Sequence, residues 1–520
     1  METTPEGASA RRWGTLVIAC LAVLLLSVDL TVLHLAVPKL AADMSPSATE
    51  LLWITDIYGF ALAGLLVAMG NLGDRIGRKR LLLVGTLMFG AASLLTAYAP
   101  NPESLIAARA VLGVAGATIM PSTLSLIRNV FTDPKERTSA IGIWSSVSAV
   151  GFALGPVVGG ALLDRFWWGS VFLINLPVVA VIFAAGIVVL PESRNPRPGR
   201  LDVISVPLSI VSVLALVYAL KEAAHGGLVR VPVVVAALVG TVALVVFVRR
   251  QTRLAEPLID VRLFRRRAFS ASVCAELVTM FAMLALSLVF AQYFQLVAGL
   301  SPLAAALASL PGGLAGGAGG ALAGPLVQRW GRARVVATGL AMIAAGVAMF
   351  SGIGTELHYP YILAAMVVQG IGTGLAFAVT NDTLLASAPK ERAGAAGAIS
   401  ETAHEMGGAL GIAVLGSVLN GVYGGGLRLP AGLPSGAEER IRETLAGAYE
   451  VAATLPADMA AAVRAAAGRA FVDGLHMTVL TGAGILLALA LLSLYALRGI
   501  PKVIAEPAGS AADPVREGIS

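Results

Sequence analysis

Apolar runs of roughly 18 to 25 residues recur from residue 14 almost to the end of the chain, each long enough as a helix to cross ~30 Å of hydrocarbon. Their approximate bounds are 14–38, 50–70, 80–98, 104–128, 138–162, 169–190, 203–220, 231–248, 269–291, 302–326, 334–352, 359–385, 394–420 and 471–497, fourteen predicted spans. Backbone amides find no water inside a bilayer, so the pattern predicts an all-α integral membrane protein. The first run follows Arg11 and Arg12, is too long for a signal-peptide core and precedes no small-residue cleavage site, so it is read as a retained span.

The polar stretches between the runs repeat. Gly70-Asn-Leu-Gly-Asp-Arg-Ile-Gly-Arg-Lys-Arg80 returns 254 positions later as Gly324-Pro-Leu-Val-Gln-Arg-Trp-Gly-Arg332, with Asp74 replaced by Gln328. Pro134-Lys-Glu-Arg137 recurs letter for letter as Pro389-Lys-Glu-Arg392, at an offset of 255. Two unrelated frames at nearly one offset argue for an internal duplication. In a membrane protein, duplicated apolar helices with charged turns at corresponding places point to a transporter.

The duplication divides the chain into a tail (1–13), a six-helix bundle (14–190), a linker (191–268), a second six-helix bundle (269–497) and a second tail (498–520). The linker carries the inserted spans 203–220 and 231–248, followed by a basic segment, Arg249 to Arg267, that reads as a short amphipathic helix on the membrane surface. Residues 421–470, rich in Ala and Gly with charges at helical spacings, are either an external helical hairpin or a flexible tether.

Composition excludes a soluble protein: 57% of residues are hydrophobic, 13% charged, and the mean hydropathy is +0.83. The net charge of +6 is a topology signal and not a nucleic-acid footprint, because one alternation of spans puts most of the 37 Lys and Arg on a single side. Both termini are then cytoplasmic and the protein is a multi-pass component of the cell membrane. Cys20 and Cys274 lie within apolar runs, which argues against a disulfide framework.

Three motifs now resemble one family. The Gly70–Arg80 stretch resembles the loop between spans two and three of the major facilitator superfamily. Gly151-Phe-Ala-Leu-Gly-Pro-Val-Val-Gly-Gly160, with Gly155, Pro156 and Gly159, resembles its antiporter motif, and Asp29-Leu-Thr-Val-Leu-His-Leu-Ala-Val-Pro38 resembles the first-span motif of its fourteen-span drug:proton antiporters. Leu52-Trp-Ile-Thr-Asp-Ile-Tyr58 and Asp260-Val-Arg-Leu-Phe264 extend the likeness to QacA-type exporters over nearly the full chain. The resemblance implies a major facilitator fold of two six-helix bundles plus two inserted helices, and a proton-driven exporter of lipophilic cations. Further expectations are a monomer, no cofactor beyond the proton gradient, no metal, no enzymatic chemistry and no nucleic-acid partner.

Ionisable residues inside spans cost ~2.5 to 3.5 kcal/mol on insertion scales, so each calls for a reason. Asp29 with Arg109 is either a structural ion pair or, the reading preferred here, the proton-coupling pair. Trp53, Asp56 and Phe60 at i, i+3 and i+7, with Tyr58 beside them, place an acid among rings suited to an organic cation. Glu401, His404 and Glu405 share one helical stripe, where two carboxylates a turn apart cannot both ionise cheaply, so a cationic substrate is expected there. QacA-type proteins carry acids at the positions of Glu401 and Glu405, whereas the neighbouring Ser400 departs from their pattern. Glu276 is an extra acid, either compensating or solvated near the cytoplasmic side.

Gly70, Gly73, Asp74, Arg75, Gly77, Arg78 and Lys79 are expected to gate: Asp74 caps a neighbouring helix, that of the eleventh span, while Arg75, Arg78 and Lys79 pair across the inner face. Gly151, Gly155, Pro156, Gly159 and Gly160 are expected to let the fifth span slide on the tenth. No phosphate-cradling Gly-x-x-x-x-Gly-Lys-Ser/Thr stretch occurs, which argues against ATP-driven transport. A dedicated exporter of one metabolite or antibiotic stays open as an alternative, and a proton-independent facilitator or membrane enzyme is the weaker one.

Overall fold

A computed structural model describes residues 5–44, 46, 48–194, 204–226, 230–254, 257, 259–389, 393–434 and 436–501; a few side chains inside those ranges, Asp56 among them, lie outside the description. The tail 502–520 and Lys390 to Arg392 of the second tetrapeptide are likewise outside it.

All the described regular structure is helical. The first half comprises α1 (Pro5–Met44), α2 (Ala48–Ile76), α3 (Arg78–Ala97), α4 (Pro102–Val130), α5 (Pro134–Leu163), and the pair α6 (Ser170–Leu173) and α7 (Asn175–Val189), which act as one span. The inserted helices are α8 (Ser205–Gly226) and α9 (Val231–Arg253). The second half comprises α10 (Arg267–Gln292), α11 (Pro302–Trp330), α12 (Arg332–Met349), α13 (Tyr359–Ser387), α14 (Ala393–Gly426), the short α15 (Ala437–Glu443) and α16 (Leu445–Thr454), and α17 (Ala457–Ala496).

Each predicted span has its helix. Eleven are long and apolar enough to cross a membrane on the described residues, Ser205–Ala219 is a shorter apolar helix, and α2 and α11, of 29 residues each, fill the two remaining places. Most helices overrun the apolar run that predicts them, because nothing in the flanking polar residues stops a helix until a cap or glycine is reached. Asn101 closes a capping box with Ser104 at the start of α4, and Asp133 caps α5.

Hydrophobic packing follows the duplication. One cluster gathers the first half around Leu26, Phe89 and Ile119 and takes in Phe377, Leu384 and Ile399 of the second, and another gathers the rest of the second half around Leu286, Ile343 and Leu475. The halves meet where α5 packs on α11 and α2 on α14, with further contacts of α4 on α14 and α5 on α13. Small residues bring those helices close: a methyl built on Gly313 would lie 2.3 Å from Ala153 Cβ, and one on Gly320 would lie 3.0 Å from Gly142 O.

The inserted pair seals one seam between the halves. α8 lays Val217 and Tyr218 against Phe60 of α2 and Ala409 of α14, while α9 packs on α8 and leaves Val231, Leu238 and Val242 exposed, as a lipid-facing surface requires.

Residues 421–470 form helices and not a tether. α14 runs on to Gly426 and α17 begins at Ala457, well before its predicted apolar run; between them Ile441, Leu445 and Ala448 are buried. Tyr423 donates its hydroxyl to Ile441 O at 2.7 Å, and Arg442 binds Glu438 and the carbonyl of Gly424.

Candidate functional site

In the first half the buried Asp29 of α1 accepts a hydrogen bond at Oδ1 from Asn175 Nδ2 of α7, 2.7 Å away, and the same amide lies 3.0 Å from Ser93 Oγ of α3. Arg109 of α4, equally buried, stacks over the rings of Tyr58 at 5.5 Å and Phe172 at 5.9 Å. Asp29 and Arg109 are thus brought into one region without a direct ion pair; what Asp29 holds is Asn175. Its other oxygen, Oδ2, is buried with no hydrogen-bond partner.

On α2, Tyr58 is buried beneath Arg109, whereas Trp53 is 39% exposed and meets Phe60 edge to face at 6.0 Å. Phe60 belongs to the seam with α8, its ring 6.5 Å from that of Tyr218. The expected face of Trp53, Asp56 and Phe60 is therefore split between surface and seam, and the Asp56 side chain lies outside the described residues.

In the second half the α14 stripe meets an acid from another helix. His404 Nδ1 lies 3.2 Å from Glu401 Oε2, and its Nε2 lies 3.7 Å from Glu276 Oε2 of α10. Ser400 donates its hydroxyl to Glu276 Oε2 at 2.7 Å, its oxygen also 3.0 Å from Asn381 Oδ1 of α13. Phe377 covers the imidazole with 4.8 Å between ring centres. Glu276, left open in the sequence as a solvated residue, is fully buried, because α13 and α14 both close over that face of α10. Glu405 points the other way, toward α2: a methyl on Gly59 would lie 3.7 Å from its Oε2.

Among the described contacts, the charged turn binds residues of its own half. Gly77 joins α2 to α3 at φ 113°, with Gly70 and Gly73 in the last turns of α2. Arg78 donates to Asp74 Oδ1 through Nε (2.9 Å) and Nη2 (2.8 Å) and to Ser193 Oγ at 2.9 Å, while Lys79 donates to Ile187 O at 2.6 Å. The carbonyls at the end of α7 have no intrahelical donor, so this end of the same half attracts the cations. Among its described bonds, Asp74 serves Arg78; Arg75 is half-buried on α2.

The link between halves falls instead on Asp382 of α13. It receives Arg332 Nη2 at 2.6 Å, Arg137 Nε at 3.5 Å and the Thr138 hydroxyl at 2.8 Å, and the side chains of Arg137, Arg332 and Asp382 are wholly buried. Arg128 of α4 adds hydrogen bonds to the carbonyls of Ala388 and Pro389. Sequence reasoning passed over Asp382, although it is an ionisable residue inside an apolar run, the same signal that singled out Asp29.

The antiporter-like glycines also face a partner other than the one expected. Methyls on Gly151 and Gly155 would strike Ser27 and Thr31 of α1, while one on Gly160 would meet α11 at Leu303. Pro156 lies within α5 and Gly159 is buried. The α5–α11 contact depends on the glycines of α11 itself, whose row matches the small residues of α5.

Two like-patterned helical halves enclosing buried acids and joined at their basic ends define a membrane carrier. A match to the Major Facilitator Superfamily spans residues 19–412, and the chain belongs to that superfamily. It is 43% identical over 492 residues to the multidrug efflux pump LfrA of Mycolicibacterium smegmatis, covering 94% of this chain and 97% of that protein. It is 38% identical to the methyl viologen resistance protein SmvA of Salmonella typhimurium, covering 92% and 97% respectively. The human organic anion transporter MFSD10 has the same fold, with a TM-score of 0.60 at 14% identity over 95% of this chain and all of that one. The protein is therefore a multi-pass membrane transporter of this superfamily, not an enzyme.

Proposed function

We propose that the protein exports lipophilic organic cations, quaternary ammonium compounds and cationic dyes among them, in exchange for protons. The observation that carries this reading is a set of buried carboxylates with uncommitted oxygens: Asp29 Oδ2 in one half, Glu276 Oε1 and Glu401 Oε1 in the other. A charge left so far from water needs either a proton or a cation beside it. The names of the two relatives, a multidrug efflux pump and a methyl viologen resistance protein, agree with export of such compounds.

In this reading the basic end is cytoplasmic, as are both termini, and the protein works as a monomer. The state described here is closed at that end, held by Asp382 with Arg137 and Arg332 across the halves. Opening inward breaks that contact, admits the cation to Glu401, Glu405 and His404, with Tyr58 and the α2 face opposite, and lets a proton leave Asp29. Opening outward reverses the exchange.

The test is proton release from the detergent-purified protein on adding tetraphenylphosphonium or ethidium, read with a pH dye in weak buffer. An antiporter releases protons and a facilitator releases none. Asp29→Asn in proteoliposomes is expected to bring proton-driven efflux down to the leak rate; wild-type rates would refute its coupling role. A panel containing methyl viologen separates a multidrug pump from an exporter of a single compound, which would respond to one member only.

A further inference from the structure

The second half contains a charge arrangement that one proton-carrying aspartate does not explain. Glu276, Glu401 and His404 converge from α10 and α14, with the imidazole between the two carboxylates. Two of the oxygens, Glu276 Oε1 and Glu401 Oε1, are buried without a partner, so the cluster has room in its hydrogen bonding for something more. Among the described residues no Lys or Arg forms an ion pair with it.

Among the described residues, the neighbouring groups that touch the cluster are neutral or already paired. Ser400 of α14 and Asn381 of α13 are neutral, and Asp382, the next residue on α13, is already held by Arg332 and Arg137. Glu405 of α14 is a further acid. α17 also packs on α10, but its nearest titratable groups, Asp473 and His476, lie toward the opposite end, where His476 binds Ile353 O. From α4, Arg128 is engaged by Ala388 and Pro389.

We infer that Glu276, with His404, is a second proton-carrying site, separate from Asp29, whose proton is exchanged for the positive charge of the substrate. This rests on the antiport reading above and extends it to stoichiometry. Without substrate, Glu276 holds the proton that the docked charge will displace. When a monovalent cation docks against Glu401, Glu276 gives its proton to the cytoplasmic water, so one positive charge replaces another. When the cation leaves outward, a proton from outside returns to Glu276. The net charge of the buried cluster is the same before and after the exchange, which is its physical reason.

Position supports a role distinct from that of Asp29. Counting 1.5 Å per residue, Glu276 lies about 14 Å along α10 from Arg267, whereas Asp29 lies about 26 Å along α1 from Arg12. The two acids therefore sit at different depths in opposite halves, and neither can substitute for the other by a change of rotamer.

Protons released per tetraphenylphosphonium bound are to be counted on the full-length purified protein, with binding measured in parallel. Glu276→Gln is expected to bind the cation yet release about one proton fewer than wild type, and Glu276→Asp to keep the full count. An unchanged count in Glu276→Gln overturns the inference, while absence of release from the wild type overturns the antiport reading itself. Infrared difference spectra of Asp29→Asn serve if Glu276→Gln fails to fold. Loss of a protonated-carboxyl band on adding the cation supports a second carrier, and no band lost rejects it.

Discussion

The two copies of the charged turn solve one problem differently. In the first, Arg78 at the start of α3 takes its acid from the preceding turn, Asp74 four residues earlier on α2. In the second, the equivalent position is Gln328, and Arg332 reaches across to Asp382 on α13, which it shares with Arg137 of the other half. Loss of one carboxylate from a duplicated turn thus turns a local contact into one that spans the molecule. In the second copy the acid is divided between Arg332 and Arg137 of the two halves, so that contact reports whether the basic end is closed.

The largest effect expected from breaking this asymmetry is that of Asp382→Asn. It removes the carboxylate that Arg332 and Arg137 share in a wholly buried site, and breaking a buried pair by removing one partner typically costs about 3–5 kcal/mol. The thermal midpoint of the purified protein should fall accordingly. Adding Gln328→Asp to that variant restores an acid at the i, i+4 spacing used by Asp74 and Arg78, and should recover stability without recovering the link between halves. Full stability in Asp382→Asn alone would show that the buried contact holds nothing together.

The same contrast explains what the sequence could and could not reveal. Span positions, the duplication and the turn glycines are local or periodic properties, and Gly77 and Gly331 do take matching positive φ values of 113° and 84°. Partner choice is not local. Arg332 and Asp382 lie 50 residues apart with a full span between them, and Arg137 comes from the other half. A trace was present: Asp382 is an ionisable residue inside an apolar run. Likewise Glu276 looked marginal from its distance to the end of its run, since burial by α13 and α14 depends on packing that hydropathy does not encode. Asn175, the donor to Asp29, sits at the start of α7 in a stretch that reads only as apolar.

A smaller effect distinguishes the two turn glycines. Both occupy backbone conformations in which a side chain costs of order 1–3 kcal/mol. At Gly77 an added methyl would also lie 2.3 Å from Glu192 Oε1, forcing that carboxylate aside and loosening its pairing with Arg80. Gly77→Ala should therefore lower the thermal midpoint by its backbone cost plus that of moving Glu192, and a fall that stays the same in a Glu192→Ala background would show that backbone strain alone decides.

The smallest expected effect concerns the start of α5. Asp133 accepts hydrogen bonds from the backbone amides of Lys135 and Glu136, and these hold its carboxyl below the usual carboxylate range. The corresponding position in the second copy is Ala388, which has no side-chain acceptor and whose carbonyl is taken by Arg128. A carboxyl whose ionised form is favoured in the folded state stabilises above the unfolded Asp range, and that contribution is lost as pH falls through the folded value. Asp133→Ala should thus lower the thermal midpoint slightly near neutral pH, with the difference from wild type closing in acid. Because the residue is fully exposed, a difference that persisted at low pH would mean that the side chain acts through its shape and not through its charge.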